Sequence, residues 1–383
     1  MSFRIHGTEF RDVEAAQNHA RSWLFGRAAP LWSSEGVCPD GLFAERIALD
    51  GRRVELPRRF MVQARQIFSF ITMGQLGWEG PWREIVTRVV DVLIDRGRRE
   101  DGLFVHLFDP SGAVCDSRLD LYNHAFGLFA LGHAATALDR PDLLAVASDV
   151  MDRLNADWRR PEGGFWEGEI TPCPPYRQNP HMHMFEAGLA LHRAGGGERW
   201  IELVRELGEL HARRFREPRS GAVCEYFDRD WQRQPGANGA IVEPGHCLEW
   251  AWLFEMGLPE GEGLPLADGL SGFALEHGIC PDRGVAINEV DLDGAIVDAG
   301  ARLWPQTERL KCAVARYRRL GGEDRKLEIL QAYSGLSAYL DTATPGTWYD
   351  RWEADGSWVA EAAPASSFYH IMGGISELLS CPS

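Results

Sequence analysis

The sequence has no long hydrophobic run, no closely spaced cysteine pair and no excess of basic residues. None of its windows approaches the roughly 18 to 20 consecutive apolar residues of a membrane span, and its first residues lack the apolar stretch of a signal peptide. Its 40 basic residues against 56 acidic ones give a net charge of -16, which disfavours binding to a phosphate backbone. We therefore expect a cytoplasmic protein without a membrane or nucleic-acid partner.

Motifs for zinc, disulfide and nucleotide chemistry are also missing. The eight cysteines lie far apart without a C-x-x-C pair, so neither a zinc knuckle nor a small disulfide framework is expected. The chain has no G-x-G-x-x-G after a strand, no G-x-x-x-x-G-K-[ST] and no G-x-S-x-G. Nucleotide-dependent and acyl-transfer enzymes would therefore lack their usual motifs here.

What the sequence does contain is a long series of amphipathic segments. Apolar residues recur with a period near 3.6 residues, which predicts α-helices. Between them, glycine and aspartate turn residues lie around apolar positions, which predicts short β-hairpins. The twelve helices are predicted at 11–26, 60–77, 81–98, 119–136, 140–157, 180–194, 198–214, 246–256, 264–278, 304–320, 324–341 and 366–380. The hairpins are predicted at Gly102–Val114, Gly163–Ile170, Gly221–Trp231, Gly284–Val297 and Trp348–Trp358.

A polar residue recurs near the start of every second predicted helix. Apolar residues fit any helical register by chance, whereas reactive side chains at a fixed spacing do not. Successive separations are 58, 60, 63, 62 and 62 residues, so the chain repeats a helix pair six times. The recurring residues are Arg65, Asn123, His183, His246, Glu308 and His370.

Six helix pairs predict a closed ring, an (α/α)6 barrel with alternate helices on the inside. Closing the ring buries the two end faces that an open array of so few repeats would expose. The like ends of the inner helices would then form a polar, aromatic-lined funnel for a small ligand. We predict an all-α fold with hairpins in its connecting loops and a single domain over residues 1–383. An open solenoid is the alternative.

His246 and His370 are the candidates for proton transfer. His246 follows a Pro-Gly pair at a helix start, and Glu249 lies one turn later, where a carboxylate orients an imidazole and raises its pKa. His370 lies in the first turns of the last inner helix. Two histidines facing each other across a sugar could move a proton beside a carbonyl through an enediol. The alternative is that each histidine is a structural residue of the core.

His181 and His183 form a His-x-His pair, a pattern that occurs in metal sites. Residues two apart on a helix point about 200° away from each other, so the two rings would not chelate one ion. We therefore predict no metal, with His183 directed inward as a sugar ligand and His181 outside or capping.

Three other residues suit a sugar site. Arg65 is a cation on an otherwise apolar helix face, where it would stabilise an enediolate or form an ion pair with Glu249 or Glu308. Trp304 is a candidate for stacking against a sugar ring. Glu308 is a candidate partner for a hydroxyl or carbonyl group.

Several strings of the sequence resemble the N-acylglucosamine 2-epimerase superfamily, which includes mannose and sulfoquinovose isomerases and cellobiose and mannose 2-epimerases. The match runs in order from about Arg65 to His370, and several motifs at the right spacing are more specific than any one of them. The strings are Asp120–Phe126, Asn179–His183, Glu243–Trp250, Leu303–Arg309 and Ser366–His370.

The resemblance implies an (α/α)6 barrel that needs no cofactor. His370 would move the proton between C2 and C1, and His246, supported by Glu249, would assist ring opening or act as the second acid or base. Asn179 would support His183 or contact a hydroxyl. With Trp304 added from its residue type, the predicted substrate-binding residues are Arg65, Asn123, Asn179, His183, Trp304 and Glu308.

The predicted substrate follows from a resemblance to one branch of the superfamily. The Arg65-Gln66 pair and the Leu303–Arg309 string look most similar to the mannose isomerase-like branch, which implies interconversion of D-mannose and D-fructose. The alternatives are a sugar 2-epimerase, a glycoside hydrolase with two catalytic carboxylates and a non-catalytic sugar-binding or protein-binding module. The predicted partner is a monosaccharide, and the protein is expected to be a monomer or a homodimer.

Overall fold

The computed structural model describes residues 9–382, which fold into two concentric layers of helices. The inner helices are α3 (Phe60–Gln75), α5 (Leu121–Ala137), α7 (Asn179–Arg193), α9 (Pro244–Gly257), α11 (Leu303–Leu320) and α13 (Ala365–Leu379). The outer helices are α4 (Trp82–Arg96), α6 (Asp142–Asp157), α8 (Glu198–Leu210), α10 (Glu260–His277) and α12 (Glu323–Leu340), together with α1 (Val13–Trp23) and α2 (Ala29–Ser34), which a π-helical turn (Leu24–Ala28) joins.

The ring of inner helices is closed. Each inner helix packs against the next one along the chain, and α13 packs against α3, which completes the circle. The (α/α)6 barrel is thus confirmed, and the alternative of an open solenoid is wrong. Closure explains why the inner helices are apolar nearly all round, since outer helices cover one side and neighbouring inner helices the others.

Within residues 9–382, fourteen short strands lie in the connecting loops. They are β1 (Arg46–Ile47), β2 (Arg53–Val54), β3 (Arg58–Arg59), β4 (Leu107–Phe108), β5 (Val114–Asp116), β6 (Tyr176–Arg177), β7 (Tyr226–Phe227), β8 (Ile279–Cys280), β9 (Val285–Ala286), β10 (Glu289–Val290), β11 (Ile296–Asp298), β12 (Ala301–Arg302), β13 (Arg351–Trp352) and β14 (Ala363–Pro364).

The strands pair antiparallel and connect neighbouring repeats. The sheets are β14-β1-β2, β3-β4-β5, β6-β7, β8-β9, β10-β11 and β12-β13. The segments predicted at 102–114 and 284–297 form the hairpins β4-β5 and β10-β11, the first of which extends to residue 116. In the segments at 221–231 and 348–358, β7 and β13 each turn back through one antiparallel bridge, Phe227 with Arg233 and Trp352 with Trp358. They also pair with β6 and β12, the strands just before inner helices α7 and α11. These loops therefore bind one repeat to another.

Buried side chains of the inner helices fix these loops in place. His124 Nε2 accepts a hydrogen bond from the backbone N–H of Phe104, and His181 Nε2 accepts one from Phe165. The side-chain oxygens of Gln63 and Gln306 likewise accept hydrogen bonds from backbone N–H groups of the loops. His181 is fully buried, so its predicted place outside the barrel is wrong. These residues satisfy loop N–H groups that would otherwise be buried without a partner.

Most helix bounds agree with the periodicity, and two differ. The first helical segment continues through the π-helical turn to Ser34 instead of ending near residue 26. Helix α10 begins at Glu260, earlier than residue 264, and it contains Pro265 within its first two turns, where few intrahelical bonds are lost. Within residues 9–382, no helix is both long and apolar enough to cross a membrane.

Candidate active site

The six recurring polar residues all lie in the first two turns of the inner helices, and all are at least nine-tenths buried. The helices thus bring them toward the same end of the barrel. Asn123 is set apart from the others, because its side-chain amide bonds His106 in the loop. From α5 it is Tyr122 that reaches the cluster, since its hydroxyl accepts a hydrogen bond from Arg65 at 2.6 Å.

His246 is held by carboxylates. Its Nδ1 donates to Glu225 Oε2 at 3.0 Å, and Glu243 Oε2 lies 4.0 Å away. Burial lowers the pKa of His246, but the charges of Glu225 and Glu243 outweigh burial and raise the pKa to about 9. His246 is therefore an imidazolium at neutral pH.

Asn179 bonds His246 instead of His183, contrary to the expectation that it would support His183. Its amide nitrogen lies 3.1 Å from His246 Nε2, and its oxygen has no partner among the described residues. A neutral imidazole accepts a hydrogen bond from the amide nitrogen, whereas an imidazolium donates one to the oxygen after the amide has turned over. Asn179 can thus serve His246 in both protonation states.

Glu249 is not the hydrogen-bond partner of His246 that helical spacing predicts. Its carboxyl lies near those of Glu186 and Glu308, and its Oε1 has no hydrogen-bond partner among residues 9–382. Burial and the charge of Glu308 raise the pKa of Glu249 well above its usual value. Its effect on the pKa of His246 is smaller than that of Glu225 or Glu243.

His370 is the neutral counterpart of His246. Its Nδ1 donates to Glu308 Oε1 at 2.8 Å, so its Nε2 carries the free lone pair, and no described residue bonds that atom. Burial lowers the pKa of His370 to about 3, although Glu308 acts in the opposite direction. Glu308 itself is held by Lys311, whose Nζ lies 2.6 Å from Oε2. Burial raises the pKa of Glu308, but Lys311 and His370 outweigh it and lower the pKa to about 2.

His183 faces a second buried carboxylate. Its Nδ1 lies 3.1 Å from Glu186 Oε2, and the hydroxyl of Tyr369 donates to the same carboxylate at 2.5 Å. Burial lowers the pKa of His183 to about 4, so the ring is neutral. The inward direction of His183 agrees with the prediction, whereas its hydrogen bond with Glu186 was not predicted from the sequence.

Arg65 lies in a box of aromatic rings. Its guanidinium is 4.1 Å from the ring centroid of Phe126 and 5.0 Å from that of Tyr369, and it donates to the carbonyl of Ser366. The predicted ion pair with Glu249 or Glu308 is absent from the described residues. Arg65 is therefore a buried cation that is free to neutralise an anion in the funnel.

Trp304 lies between the two histidines. Its ring centroid is 4.9 Å from that of His246 and 5.6 Å from that of His370. A Cβ on Gly245 would lie 2.5 Å from the Trp304 ring, so glycine is required before His246 for this contact. This packing places both histidines along one aromatic wall, and it explains the Pro-Gly-His string.

The loops supply one set of polar residues that was not predicted from the sequence. Each bonds a side chain near the start of an inner helix, as Glu225 does with His246 and His106 with Asn123. They recur every 58 to 63 residues, a signal that a search of the loops for polar residues at the repeat spacing would have found. The set is Glu45, His106, Glu167, Glu225, Asn288 and Asp350.

Three groups of these side chains have ligand atoms close enough to hold a metal ion. The atoms within each group lie within 4.8 Å of one another. Each group also has a protein donor bonded to one member, such as Lys311 on Glu308 or Tyr369 on Glu186. His181 belongs to none of them, so His181 and His183 do not form a chelate. The groups are His183, Glu186 and Glu249; Glu225, Glu243 and His246; and Glu249, Glu308 and His370.

The Glu225→Gln substitution should lower the pKa of His246 from about 9 toward its ordinary value of 6.5, because it removes the nearest negative charge and keeps a hydrogen-bond acceptor. An NMR titration of the histidine ring signals measures this directly. Glu243→Gln, which removes a charge 4.0 Å away, should lower the pKa less. An unchanged titration of His246 in the Glu225 variant would contradict the assignment.

Comparison with known proteins agrees with this architecture. The sequence pattern of the N-acylglucosamine 2-epimerase (GlcNAc 2-epimerase) family matches residues 41–374. A Rhizobium meliloti protein named mannose-6-phosphate isomerase is 37% identical over 97% of this chain and 98% of its own. A Thermobifida fusca D-mannose isomerase is 29% identical over 66% of this chain and 67% of its own.

Solved structures show the same fold at low sequence identity. Cellobiose 2-epimerase from Bacillus thermoamylovorans superposes with a TM-score of 0.85 and 16% identity, covering 95% of this chain and 99% of that one. A D-mannose isomerase structure gives a TM-score of 0.83 and 22% identity, covering 96% and 97%. The family pattern spans most of the chain, and the chain therefore belongs to the N-acylglucosamine 2-epimerase family.

Proposed function

We propose that this protein is an aldose-ketose isomerase that interconverts D-mannose and D-fructose without a cofactor. The observation that carries the proposal is the contrast between two histidines on one aromatic wall: Glu225 and Glu243 face His246, whereas Nε2 of His370 has no hydrogen-bond partner among the described residues. Burial lowers the pKa of His370 to about 3, while carboxylates raise the pKa of His246 to about 9 despite burial. Between these values the site holds one neutral base and one cationic acid, the combination that a proton-transfer reaction needs.

The reaction steps follow from the presence of one neutral and one protonated histidine. His246 donates a proton to the ring oxygen and recovers one from the hemiacetal hydroxyl, which opens the sugar to its aldehyde form and leaves His246 protonated. Nε2 of His370 then takes the proton from C2, and O1 becomes the anionic oxygen of an enediolate, which the cation of Arg65 stabilises. Return of that proton to C1, with transfer of the O2 proton to O1, leaves the ketone at C2.

The charges at the funnel mouth favour a sugar without a phosphate group. Three arginines lie one or two residues before inner helices α3, α7 and α11, and each is paired with a carboxylate at 2.5 to 2.6 Å. Glu225 and Glu243 add negative charge beside His246. The guanidinium charge of each of these three arginines is already neutralised, so none of the three is free to bind a 6-phosphate. The rim pairs are Arg59 with Glu45, Arg177 with Glu167, and Arg302 with Glu243.

Proton NMR of the purified protein with separate sugars in deuterated buffer containing EDTA tests the proposal. D-mannose should yield D-fructose, and D-mannose 6-phosphate should be turned over at least tenfold more slowly. D-glucose, N-acetylglucosamine and cellobiose serve as the other substrates. Activity that EDTA removes and Mn²⁺ or Zn²⁺ restores would contradict a reaction without a metal ion.

The products separate the alternatives. Glucose from mannose, or N-acetylmannosamine from N-acetylglucosamine, would make the protein a 2-epimerase. Faster turnover of mannose 6-phosphate than of mannose would contradict the inference that the site prefers a sugar without a phosphate group. Sugar binding without any product would favour a non-catalytic module.

A further inference from the structure

A cavity lies away from the two candidate histidines, between α11 and the outer helices α10 and α12. Its volume is about 390 Å³, enough for a phosphate group and a small molecule attached to it. Arg309, Cys312, Ala313 and Arg316 line it from α11, at positions one and two turns apart on a single face. Lys311 and Glu308, by contrast, contact each other and the funnel residues, so the cavity is separate from the proposed active site.

Arg309 is buried in this cavity without a counter-ion. Only 7% of the residue is exposed, and its single hydrogen bond goes from Nη1 to the carbonyl of Gly284. None of the carboxylates in residues 9–382 forms an ion pair with it, and burial alone lowers the pKa of Arg309 to about 10. A buried guanidinium without a negative partner is costly, so a ligand that supplies the charge would bind favourably.

The neighbouring charges leave Arg309 uncompensated. Glu328 bonds Arg325 and lies 3.6 Å from Arg316, so one carboxylate serves two arginines. Nε and Nη1 of Arg316 are buried and have no hydrogen-bond partner. The other acidic residue of the lining, Glu276, lies at the rim with most of its side chain in solvent. The interior of the cavity therefore has an excess of positive charge and unused N–H donors.

We propose that this cavity binds a small oxyanion, with Arg309 and Arg316 as its guanidinium ligands. The planar N–H groups of arginine match the oxygens of phosphate and carboxylate, and Gln331 on α12 adds a neutral amide donor to the lining. The oxyanion is either inorganic phosphate or the phosphate group of a small metabolite. Binding at this cavity requires no turnover of sugar. The oxyanion proposal is therefore tested independently of the proposed isomerase activity.

Thermal unfolding with and without phosphate, at constant ionic strength set with chloride, tests the site. Phosphate at 10 mM should raise the Tm of the wild-type protein by about 2–4 °C. Replacing Arg309 would also remove its bond to Gly284, so the informative variant is Gln331→Glu, which places a carboxylate in the cavity. This variant should have a higher Tm than the wild type in chloride, and phosphate should no longer raise it.

Gln75→Glu is the matched control, because it makes the same charge change at an exposed position at the end of α3. It should respond to phosphate as the wild type does. No phosphate-dependent shift in the wild type, or an equal shift in the Gln331 variant, would overturn the proposal. A phosphate effect that competes with mannose would place the anion in the funnel and would also overturn it.

Calorimetric titration then distinguishes the two sources of the oxyanion. D-Fructose 6-phosphate and D-fructose are each titrated into the wild type and into the Gln331 variant. Binding of the sugar phosphate at least tenfold tighter than phosphate, and lost in the variant, supports a phosphorylated metabolite as the ligand. Equal affinities for phosphate and the sugar phosphate support inorganic phosphate. Binding of both that survives Gln331→Glu contradicts the site.

Discussion

The His370→Asn substitution is expected to lower kcat for mannose conversion by about 10²–10⁴-fold. Asparagine can still donate to Glu308 Oε1, as His370 Nδ1 does at 2.8 Å, so the buried carboxylate keeps a partner. What the variant lacks is the free Nε2 lone pair that takes the proton from C2. KM should change much less than kcat, because the remaining contacts to the sugar are retained. Steady-state assays of fructose formation measure both constants.

His192→Asn provides the matched control for His370→Asn. His192 lies in the last turn of α7, at the opposite end of an inner helix from the recurring polar residues. Its variant should retain wild-type kcat, and circular dichroism should show that both variants are folded. If His370→Asn kept kcat within tenfold of the wild type, His370 would not be the base, and the proposed proton transfer would fail.

The Lys311→Met substitution is expected to lower the free energy of unfolding by about 3–5 kcal/mol. Lys311 is 2% exposed, its Nζ lies 2.6 Å from Glu308 Oε2, and it lies over the ring of Trp252 at 3.8 Å. Methionine fills similar space but removes the cation that the buried carboxylates face. Urea denaturation measures the loss.

The loss in the Lys311 variant should also depend on pH. Without the lysine, Glu308 and Glu186 must take up protons to stay buried, so their pKa values in the folded variant rise above the ordinary value of 4.5. The folded state then binds more protons than the unfolded state, and stability falls as pH rises above 4.5. The deficit should therefore be larger at pH 8 than at pH 5. A loss of equal size at both pH values would contradict this account.

Lys326→Met is the control for that experiment. Lys311 and Lys326 are the only two lysines of the sequence, and Lys326 forms an exposed ion pair with Glu323 on α12. Exposed pairs add little to stability because water and salt screen them. The Lys326 variant should therefore unfold like the wild type at both pH values.

The repeat of polar residues was enough to predict the barrel and the inward side of its helices. His183, His246, Glu308 and His370 lie where the spacing predicts, because a helix pair of nearly constant length returns each inner helix to the same height. Asn123 follows the spacing yet bonds the loop residue His106. A repeat position fixes the end of the helix at which a residue lies, but the rotation of each helix decides which neighbouring side chain reaches the funnel.

The partners of the histidines could not be predicted from helical spacing. Glu249 is one turn from His246, but the carboxylate that bonds the ring is Glu225, from the loop of the preceding repeat. Likewise His181, two residues from His183, is the buried acceptor for a loop N–H. Contacts between a loop and a helix depend on how repeats dock, and local sequence spacing contains no information on that docking.

The sequence by itself determined the helix pairs, their number and the reactive residue types, since these depend on periodicity and on chemistry local to each segment. Only the tertiary structure decided the protonation of those residues. His246 and His370 are equally buried imidazoles, yet Glu225 and Glu243 make the first a cation while burial keeps the second neutral. A pKa depends on every charge within a few ångströms, and the largest charge effect on His246 comes from Glu225, in the loop of the preceding repeat.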